Sequence, residues 1–282
     1  MKARTVNVAA IQMNSGSDPV HNLESAIALI ELAADEGATY VQVPEYFNYL
    51  GPARRYAEVA ESIPGPTTTR LAAVAKRRRI HLHLGSMLER REGDRPFNTS
   101  VLIDATGSIV ATYRKAHLFD VDVPGAVTHR ESDDLSAGEE LVVARLKRFS
   151  VGLSVCFDVR FPELYQALAA NGADVLAVPA AFNASTGQSH WHVLVRSRAI
   201  ENHAFVVAAT QAGVTAEGIA TFGHALIVDP WGVILAESSG AEPQVITATL
   251  DLDEVLRRRA QIAVMRFRRP ALYRGPVRVI GA

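Results

Sequence analysis

Along the chain, segments with the hydrophobic pattern of a β-strand alternate with segments that have the pattern of an α-helix. Residues 5–12 are mostly apolar and predict a first strand. Asp18-Pro19 then offers an N-cap and a proline at the first helical position, and apolar residues recur at helical spacing until Gly37. Residues 40–43 predict the next strand. Such an alternation of strands and helices favours an α/β fold.

The same alternation continues through the remainder of the chain. It predicts strands at 80–88, 100–104, 109–113, 149–155, 175–178 and 205–210, and helices at 67–79, about 161–171 and about 189–202. Residues 114–140 are polar with little periodicity, which is typical of a long functional loop. Because no linker rich in Pro, Gly or Ser divides the chain, we predict a single domain over residues 1–282.

Two segments of the chain resemble each other. In residues 37–48 and 172–183, Gly, Ala, Val, Pro, Phe and Asn recur in register, and each segment follows an apolar helix. We interpret the likeness as a pseudo-repeat whose halves stack their sheets face to face. Glu45 and Cys156 would then both lie at the carboxyl ends of strands, where open α/β sheets bind ligands.

Composition and charge narrow the possible partners. The 30 acidic and 29 basic residues nearly cancel, so no overall field favours nucleic acid or an anionic membrane. The apolar runs are too short to span a bilayer, and the N-terminus lacks the pattern of a secretory signal. A single cysteine cannot form an internal disulfide. We therefore expect a cytoplasmic protein without nucleic-acid or membrane partners.

Two histidine pairs, His81 with His83 and His190 with His192, are candidate metal ligands. The first pair shares one face of a strand, whereas residues two apart on a helix face different directions. No cysteine or carboxylate completes a ligand set by spacing, so we predict no metal site.

Cys156 is the first candidate for chemistry. A lone cysteine after an apolar strand is more often an inert core residue than a nucleophile. At a strand-to-helix elbow, however, we expect an exposed sulfur and nearby helix amides that favour the thiolate. Glu45, a carboxylate among apolar and aromatic residues, is a candidate base, and Lys115 opens the long loop. Spacing alone leaves the inert and catalytic interpretations of Cys156 equally weighted.

Three stretches together carry a resemblance. Pro44-Glu45, Arg114-Lys115-Ala116-His117-Leu118 and the run from Cys156 to Glu163 resemble the three signatures of the carbon–nitrogen hydrolase (nitrilase) superfamily, in the family's order. Within it, the chain most resembles the Nit branch of omega-amidases and deaminated-glutathione amidases. The resemblance implies a four-layer αββα sandwich that forms a homodimer or higher homo-oligomer, with a C-terminal tail from about residue 264 at the subunit interface.

The resemblance also implies roles for individual residues. By position, Glu45 would be the general base, Lys115 the oxyanion stabiliser and Cys156 the nucleophile. Glu131 would be a supporting acid, and the backbone N–H of Phe157 would complete the oxyanion hole. The residues implied to hold the carboxylate end of the substrate are Arg160, Phe182 and Thr186. No cofactor is implied.

The function expected from this resemblance is release of ammonia from a small omega-amide that bears a carboxylate, such as 2-oxoglutaramate or deaminated glutathione, through a thioester. True nitrilases typically have Trp-Glu after the cysteine, where this chain has Phe157-Asp158, so amide hydrolysis is favoured over nitrile hydrolysis. A carbamoyl-amide or nitrile hydrolase remains an alternative, as does a non-catalytic binding scaffold of this fold.

Overall fold

Two β-sheets form the centre of the structure, a computed structural model that describes residues 4–125 and 127–281. The strands are β1 Thr5–Met13, β2 Tyr40–Gln42, β3 His81–Glu89, β4 Phe97–Ile103, β5 Ile109–Arg114, β6 Asp120–Val123, β7 Val127–Arg130, β8 Val143–Arg145, β9 Ser150–Leu153, β10 Val175–Ala177, β11 Phe205–Ala208, β12 Thr210–Val214, β13 Ala220–Phe222, β14 Leu226–Val228, β15 Ile234–Glu237 and β16 Gln244–Asp251.

The helices lie mainly between consecutive strands. They are α1 Pro19–Asp35, α2 Tyr56–Val59, α3 Pro66–Arg78, α4 Pro162–Ala170, α5 Ala184–Asn202, α6 Asp253–Gln261, α7 Val264–Phe267 and α8 Pro270–Tyr273. Short 3₁₀ helices span Ala53–Arg55, Glu131–Asp133 and Cys156–Arg160. Within the described ranges, none of the helices has the length and apolar character needed to cross a membrane.

Each sheet has a parallel centre. The first sheet has the order β13-β12-β1-β2-β3-β4-β5, with β16 also paired to β1, and the second has the order β15-β14-β11-β10-β9-β8. Strands β1, β2 and β3 pair in parallel, as do β9, β10 and β11. The carboxyl ends of these strands therefore meet at one edge of each sheet.

The two faces of β1 show how the layers are arranged. Val6, Val8 and Ala10 pack in a core that also contains residues of the second sheet and of α4 and α5. The alternate residues Ile11 and Met13 pack instead against α1 and α3. A strand that is apolar on both faces is buried on both sides. This layering of helix, sheet, sheet and helix confirms the predicted αββα sandwich.

Buried polar groups join the two sheets. Gln42 Oε1 accepts a hydrogen bond from the backbone N–H of Ala209 at 2.9 Å. His83, one of the candidate metal ligands, has its Nε2 2.6 Å from Ser100 Oγ and its Nδ1 3.0 Å from Tyr40 Oη. Burial lowers the pKa of His83 to about 3, so the ring is neutral near pH 7. These hydrogen bonds give His83 a structural role between β2, β3 and β4.

Two predicted segments differ from the structure. Residues 114–140 do not form one loop, because β6 and β7 pair as a hairpin and a 3₁₀ helix follows it. Helix α5 begins at Ala184, five residues before the predicted start, and Asn183 caps it by accepting the N–H of Ser185 at 2.9 Å. The first turn of α5 consists of polar and small residues with Gly187, so the sequence shows no apolar helical pattern there. Gly187 is required because a Cβ there would lie 2.3 Å from Phe222 Cγ.

Candidate active site

All eight residues singled out from the sequence line one cavity of about 410 Å³. Glu45 follows β2, Lys115 directly follows β5, and Cys156 opens the 3₁₀ helix after β9. The other predicted residues in its wall are Glu131, Phe157, Arg160, Phe182 and Thr186. The parallel strands thus bring together side chains that are up to 141 positions apart in the sequence, as from Glu45 to Thr186.

Lys115 is enclosed by two carboxylates. Its Nζ atom lies 3.0 Å from Glu45 Oε1 and 2.8 Å from Glu131 Oε2, and its side chain is only 2% exposed. Burial alone would lower the pKa of Lys115, but the charges of Glu131 and Glu45 raise it well above its ordinary value. The ammonium is therefore fixed in both charge and position.

Glu131 is held mainly by its contacts with Lys115 and two further donors. Tyr46 Oη donates to Oε1 at 2.7 Å, and the backbone N–H of Phe119 donates to Oε2 at 2.6 Å. Burial opposes ionisation of Glu131, but Lys115 and these hydrogen bonds bring its pKa below the ordinary value. Tyr46 adopts a positive φ of 55°, an uncommon conformation for a residue with a side chain.

Both oxygens of Glu45 have donors of their own. Asn98 Nδ2 donates to Oε1 at 2.9 Å, and the backbone N–H of Ala181 donates to Oε2 at 2.7 Å. Asn98 also lies 3.4 Å from Glu131 Oε1, so it contacts both carboxylates. Its own Oδ1 is buried with no hydrogen-bond partner among the residues described. A buried polar atom without a partner lowers the stability of the fold. Asn98 is therefore retained for the hydrogen bonds that its Nδ2 group donates to the two carboxylates.

Cys156 differs from the expectation of an exposed thiolate. The residue is only 8% exposed, and its positive φ of 46° lets its N–H donate to Pro179 O at 2.8 Å. Burial and then the charge of Glu45 raise the pKa of the thiol well above its ordinary value, although Lys115 opposes the shift. The amides of a short 3₁₀ helix do not outweigh burial beside a carboxylate. The sulfur is therefore a thiol that needs a base.

Asp158 fixes the turn that carries Cys156. It is fully buried and accepts hydrogen bonds from the N–H of Val155 at 2.8 Å, from Tyr113 Oη at 2.7 Å and from His117 Nδ1 at 2.7 Å. Tyr113 and His117 flank Lys115, so one carboxylate joins the turn of Cys156 to the segment of Lys115. From the sequence alone, Asp158 was only one position of the run from Cys156 to Glu163, with no predicted role.

The remaining wall of the cavity combines a cation with aromatic rings. The guanidinium of Arg160 lies 5.1 Å from the ring centre of Phe182 and 5.8 Å from that of Phe157. Its Nη1 is 3.2 Å from His190 Nδ1. No carboxylate in the described ranges lies within ion-pair distance of Arg160, and none of the described residues accepts the N–H of Phe157.

Comparisons with known proteins agree with this geometry. The family model for carbon-nitrogen hydrolases matches residues 7–260. The chain belongs to the carbon–nitrogen hydrolase family. Membership makes this hydrolase an enzyme that acts on carbon–nitrogen bonds other than peptide bonds, as the resemblance predicted.

Two relatives are similar to this carbon–nitrogen hydrolase over nearly its whole length. Omega-amidase NIT2 of Homo sapiens is 40% identical over 266 residues, which are 94% of this chain and 96% of that protein. The deaminated glutathione amidase of Synechocystis sp. (strain PCC 6803 / GT-S) is 42% identical over 264 residues, or 92% of this chain and 97% of that protein.

Solved structures confirm the nitrilase-type fold. The NitFhit protein of C. elegans superposes with a TM-score of 0.89 at 35% identity, covering 97% of this chain and 67% of that one. An amidase from Nesterenkonia sp. AN1 superposes with a TM-score of 0.81 at 26% identity, covering 95% of each chain. That structure is of a glutamate-to-glutamine mutant with the acetamide moiety of fluoroacetamide added covalently at the active site cysteine.

Proposed function

We propose that this hydrolase releases ammonia from a small omega-amide that bears a carboxylate, such as 2-oxoglutaramate or deaminated glutathione. The observation that carries the proposal is the position of Arg160. It lines the same cavity as Cys156 and has no carboxylate partner among the described residues. A guanidinium binds a carboxylate through two parallel hydrogen bonds, so a substrate carboxylate satisfies it. The two relatives named above have activities of this class.

In the first step of the proposed reaction, Cys156 attacks the amide carbon. Its raised pKa means that the thiol must lose a proton as the new bond forms, and Glu45 is the adjacent acceptor. A carbon–sulfur bond forms while the carbonyl π electrons move to oxygen. Asn98 and Ala181 hold the carboxylate of Glu45 in place for this transfer.

The oxyanion is the charge that the site must stabilise next. Lys115 supplies a permanent positive charge, and the N–H of Phe157 supplies a second donor. Donors that are already oriented where charge develops contribute about 3–4 kcal/mol each to the transition state. We propose that Glu131 keeps Lys115 oriented, through the contact of 2.8 Å, and does not itself exchange protons with the substrate.

Collapse of the oxyanion breaks the carbon–nitrogen bond. Protonated Glu45 gives its proton to the departing nitrogen, so ammonia leaves and a thioester on Cys156 remains. Glu45 then accepts a proton from water as the water oxygen attacks the thioester carbon. The carbon–sulfur bond breaks, the sulfur regains the proton, and the acid is released. The proposed cycle uses no cofactor.

Arg160→Ala should weaken binding of the carboxylate. Removing a charge-assisted bidentate pair lowers kcat/KM by about 10- to 100-fold for 2-oxoglutaramate or succinamate. For butyramide, which lacks the carboxylate, kcat/KM should change by less than about twofold because nothing pairs with the lost guanidinium. Arg160→Lys should recover only part of the loss, since an ammonium cannot form the planar pair.

Ammonia release across this substrate set measures the effect of Arg160→Ala. Equal losses for the charged and neutral amides would contradict the anchor. An undiminished rate with the carboxylate substrates would favour the alternative of a carbamoyl-amide or nitrile hydrolase, for which a carbamoyl compound and a nitrile complete the panel.

Asn98→Leu should lower kcat with little change in KM. The variant keeps the shape of the side chain but removes the donor shared by Glu45 and Glu131. Loss of a buried hydrogen bond to a charged group costs about 1.5–3 kcal/mol, which corresponds to a decrease in kcat of about 10- to 150-fold. Steady-state kinetics at saturating succinamate measures it. Thr99→Val removes the partly buried hydrogen bond of 2.7 Å from Thr99 Oγ1 to Glu89 Oε2, but Thr99 does not line the cavity, so kcat should stay near wild type. A parallel loss of kcat there would show that any lost hydrogen bond in this strand is harmful.

We propose that the enzyme is a cytoplasmic homodimer or higher homo-oligomer. Its C-terminal segment presents apolar side chains that are each more than half exposed, namely Phe267, Leu272, Tyr273, Val277, Val279 and Ile280. A second subunit that packs against these side chains would remove their apolar surface from water, which favours association. A reducing compartment keeps the proposed nucleophile Cys156 as a free thiol. Light scattering that gave a monomer mass at micromolar concentration would contradict the oligomer.

A further inference from the structure

Folding assembles a second cluster of side chains apart from Glu45, Lys115 and Cys156. His192 lies on α5, His224 follows β13, and Glu237 ends β15. His192 Nε2 and His224 Nδ1 each lie 2.8 Å from the same oxygen, Oε1 of Glu237. The three side chains offer two imidazole nitrogens and a carboxylate oxygen that all lie within 4.8 Å of one another. The spacing of His190 and His192 gave no hint of these partners, because the carboxylate comes from a distant strand.

The ring of His224 is oriented by its surroundings. Its backbone has a positive φ of 57°, and its carbonyl accepts the indole N–H of Trp191 at 2.8 Å. The ring stacks on Phe222 with 4.5 Å between centroids. Its Nε2 edge lies against Gly240, where a Cβ would come within 2.6 Å. These contacts turn Nδ1 toward Glu237 before any ligand arrives, which is the condition for a prepared metal ligand.

We propose that His192, His224 and Glu237 bind a divalent transition-metal ion of the Zn²⁺ class. Two imidazoles and one carboxylate form a donor set that such ions favour, with one position left for water. Ligand atoms about 2.0–2.1 Å from a tetrahedral ion lie about 3.3 Å apart, so the two hydrogen bonds need to open by only about half an ångström. Both imidazoles bind as neutral rings, with the proton on the nitrogen that faces away from the metal.

The bound ion would join two elements of the cavity wall. Helix α5 carries Thr186 near its start, and β13 carries Thr221, and both residues line the active-site cavity. A metal that bridges α5 to the segment after β13 therefore restrains one side of the pocket. The proposed site takes no part in the thioester chemistry, and it does not depend on the identity of the substrate.

Titration of the protein with Co²⁺, followed by visible absorption and by competition with Zn²⁺, tests the site. The titration uses the full chain with Cys156→Ala, so that sulfur cannot act as a ligand. We expect one equivalent to bind in the micromolar range or tighter, and thermal unfolding to shift upward with Zn²⁺. In the same background, His192→Ala and Glu237→Gln should each weaken binding at least about 10-fold and abolish the thermal shift.

His21→Ala is the matched control, because His21 lies on α1 in the opposite outer layer and is exposed. It should bind Co²⁺ as tightly as the background protein. Glu237→Gln keeps the shape and one acceptor oxygen, so a result on it does not depend on a variant that fails to fold. Equal affinity of all variants, or no saturable binding, would overturn the proposal and leave the cluster as a hydrogen-bonded clamp between α5 and β15.

Discussion

Cys156→Ala should reduce ammonia release from 2-oxoglutaramate or succinamate to the background rate, at least about 10⁴-fold below wild type. The proposed reaction passes through a bond between this sulfur and the amide carbon, and the chain has no second cysteine to replace it. Glu45 and Lys115 remain in the variant, but they can only assist an attack by water. Ammonia release under saturating substrate measures the effect.

The control for Cys156→Ala is a test that the variant protein still folds. Removing one small buried side chain leaves the ion pairs of Lys115 intact, so unfolding by heat or urea should remain cooperative and close to wild type. Equal rates of ammonia release by wild type and a folded Cys156→Ala protein would end the thioester account. No ammonia release from any omega-amide by wild type would instead contradict the proposed substrate class.

Lys115→Met should have two large effects. Losing the cation removes an oxyanion donor, which lowers kcat by about 10²- to 10³-fold. It also leaves Glu45 and Glu131 buried without a counter-charge, and breaking a buried ion pair on one side costs about 3–5 kcal/mol of folding free energy. Urea unfolding and steady-state kinetics measure the two effects separately. The loss in kcat applies to the folded fraction.

The pH dependence of this destabilisation has a defined sign. In wild type, the lowered pKa of Glu131 gives a contribution to stability that is present above its unfolded pKa and lost as the pH falls through the folded pKa. In Lys115→Met, Glu131 stays buried but loses the charge that holds its pKa down, so burial instead raises its pKa above the unfolded value. The variant should therefore regain stability relative to wild type as the pH falls. A deficit that is constant with pH would contradict the charge-based explanation.

The double variant Lys115→Met/Glu131→Gln separates stability from catalysis. Replacing one uncompensated carboxylate by an amide should recover part of the lost unfolding free energy, since one buried negative charge is removed. It should not recover kcat, because the oxyanion donor is still absent. Recovery of activity in the double variant would contradict the role proposed for Lys115.

The fold and the residues around the cavity were largely predictable from local signals. The similar segments at 37–48 and 172–183 contain β2 and β10, which follow α1 and α4, and each three-residue strand lies centrally in its own sheet. Glu45 and Cys156 follow strands of the two stacked sheets, as that likeness predicted. The resemblance of three motifs to the carbon–nitrogen hydrolase signatures then implied that Glu45, Lys115 and Cys156 meet.

Other features depend on tertiary contacts that no local pattern contains. The hairpin β6–β7 has strands of only four residues with one half-buried residue in each, so its short alternation at Asp120–Val123 does not stand out from the polar segment around it. The raised pKa of Cys156 arises from burial beside Glu45, a residue 111 positions away. Asn98 lies two residues before the strand predicted at 100–104, and its complete burial in β4 is visible only in the folded chain.

Intact-mass and peptide mass spectrometry of a trapped intermediate tests the central claim most directly. Wild-type protein, mixed with saturating succinamate and quenched in acid within the first turnovers, should carry the acyl thioester. Glu45→Gln should form it far more slowly, because the attack by sulfur, the departure of ammonia and deacylation all lack their proton acceptor or donor. We predict a mass increase equal to the succinyl group, confined to the peptide that contains Cys156 and removed by hydroxylamine. Ammonia released without any adduct in either the wild type or the variant, or an adduct on another residue, would contradict the account.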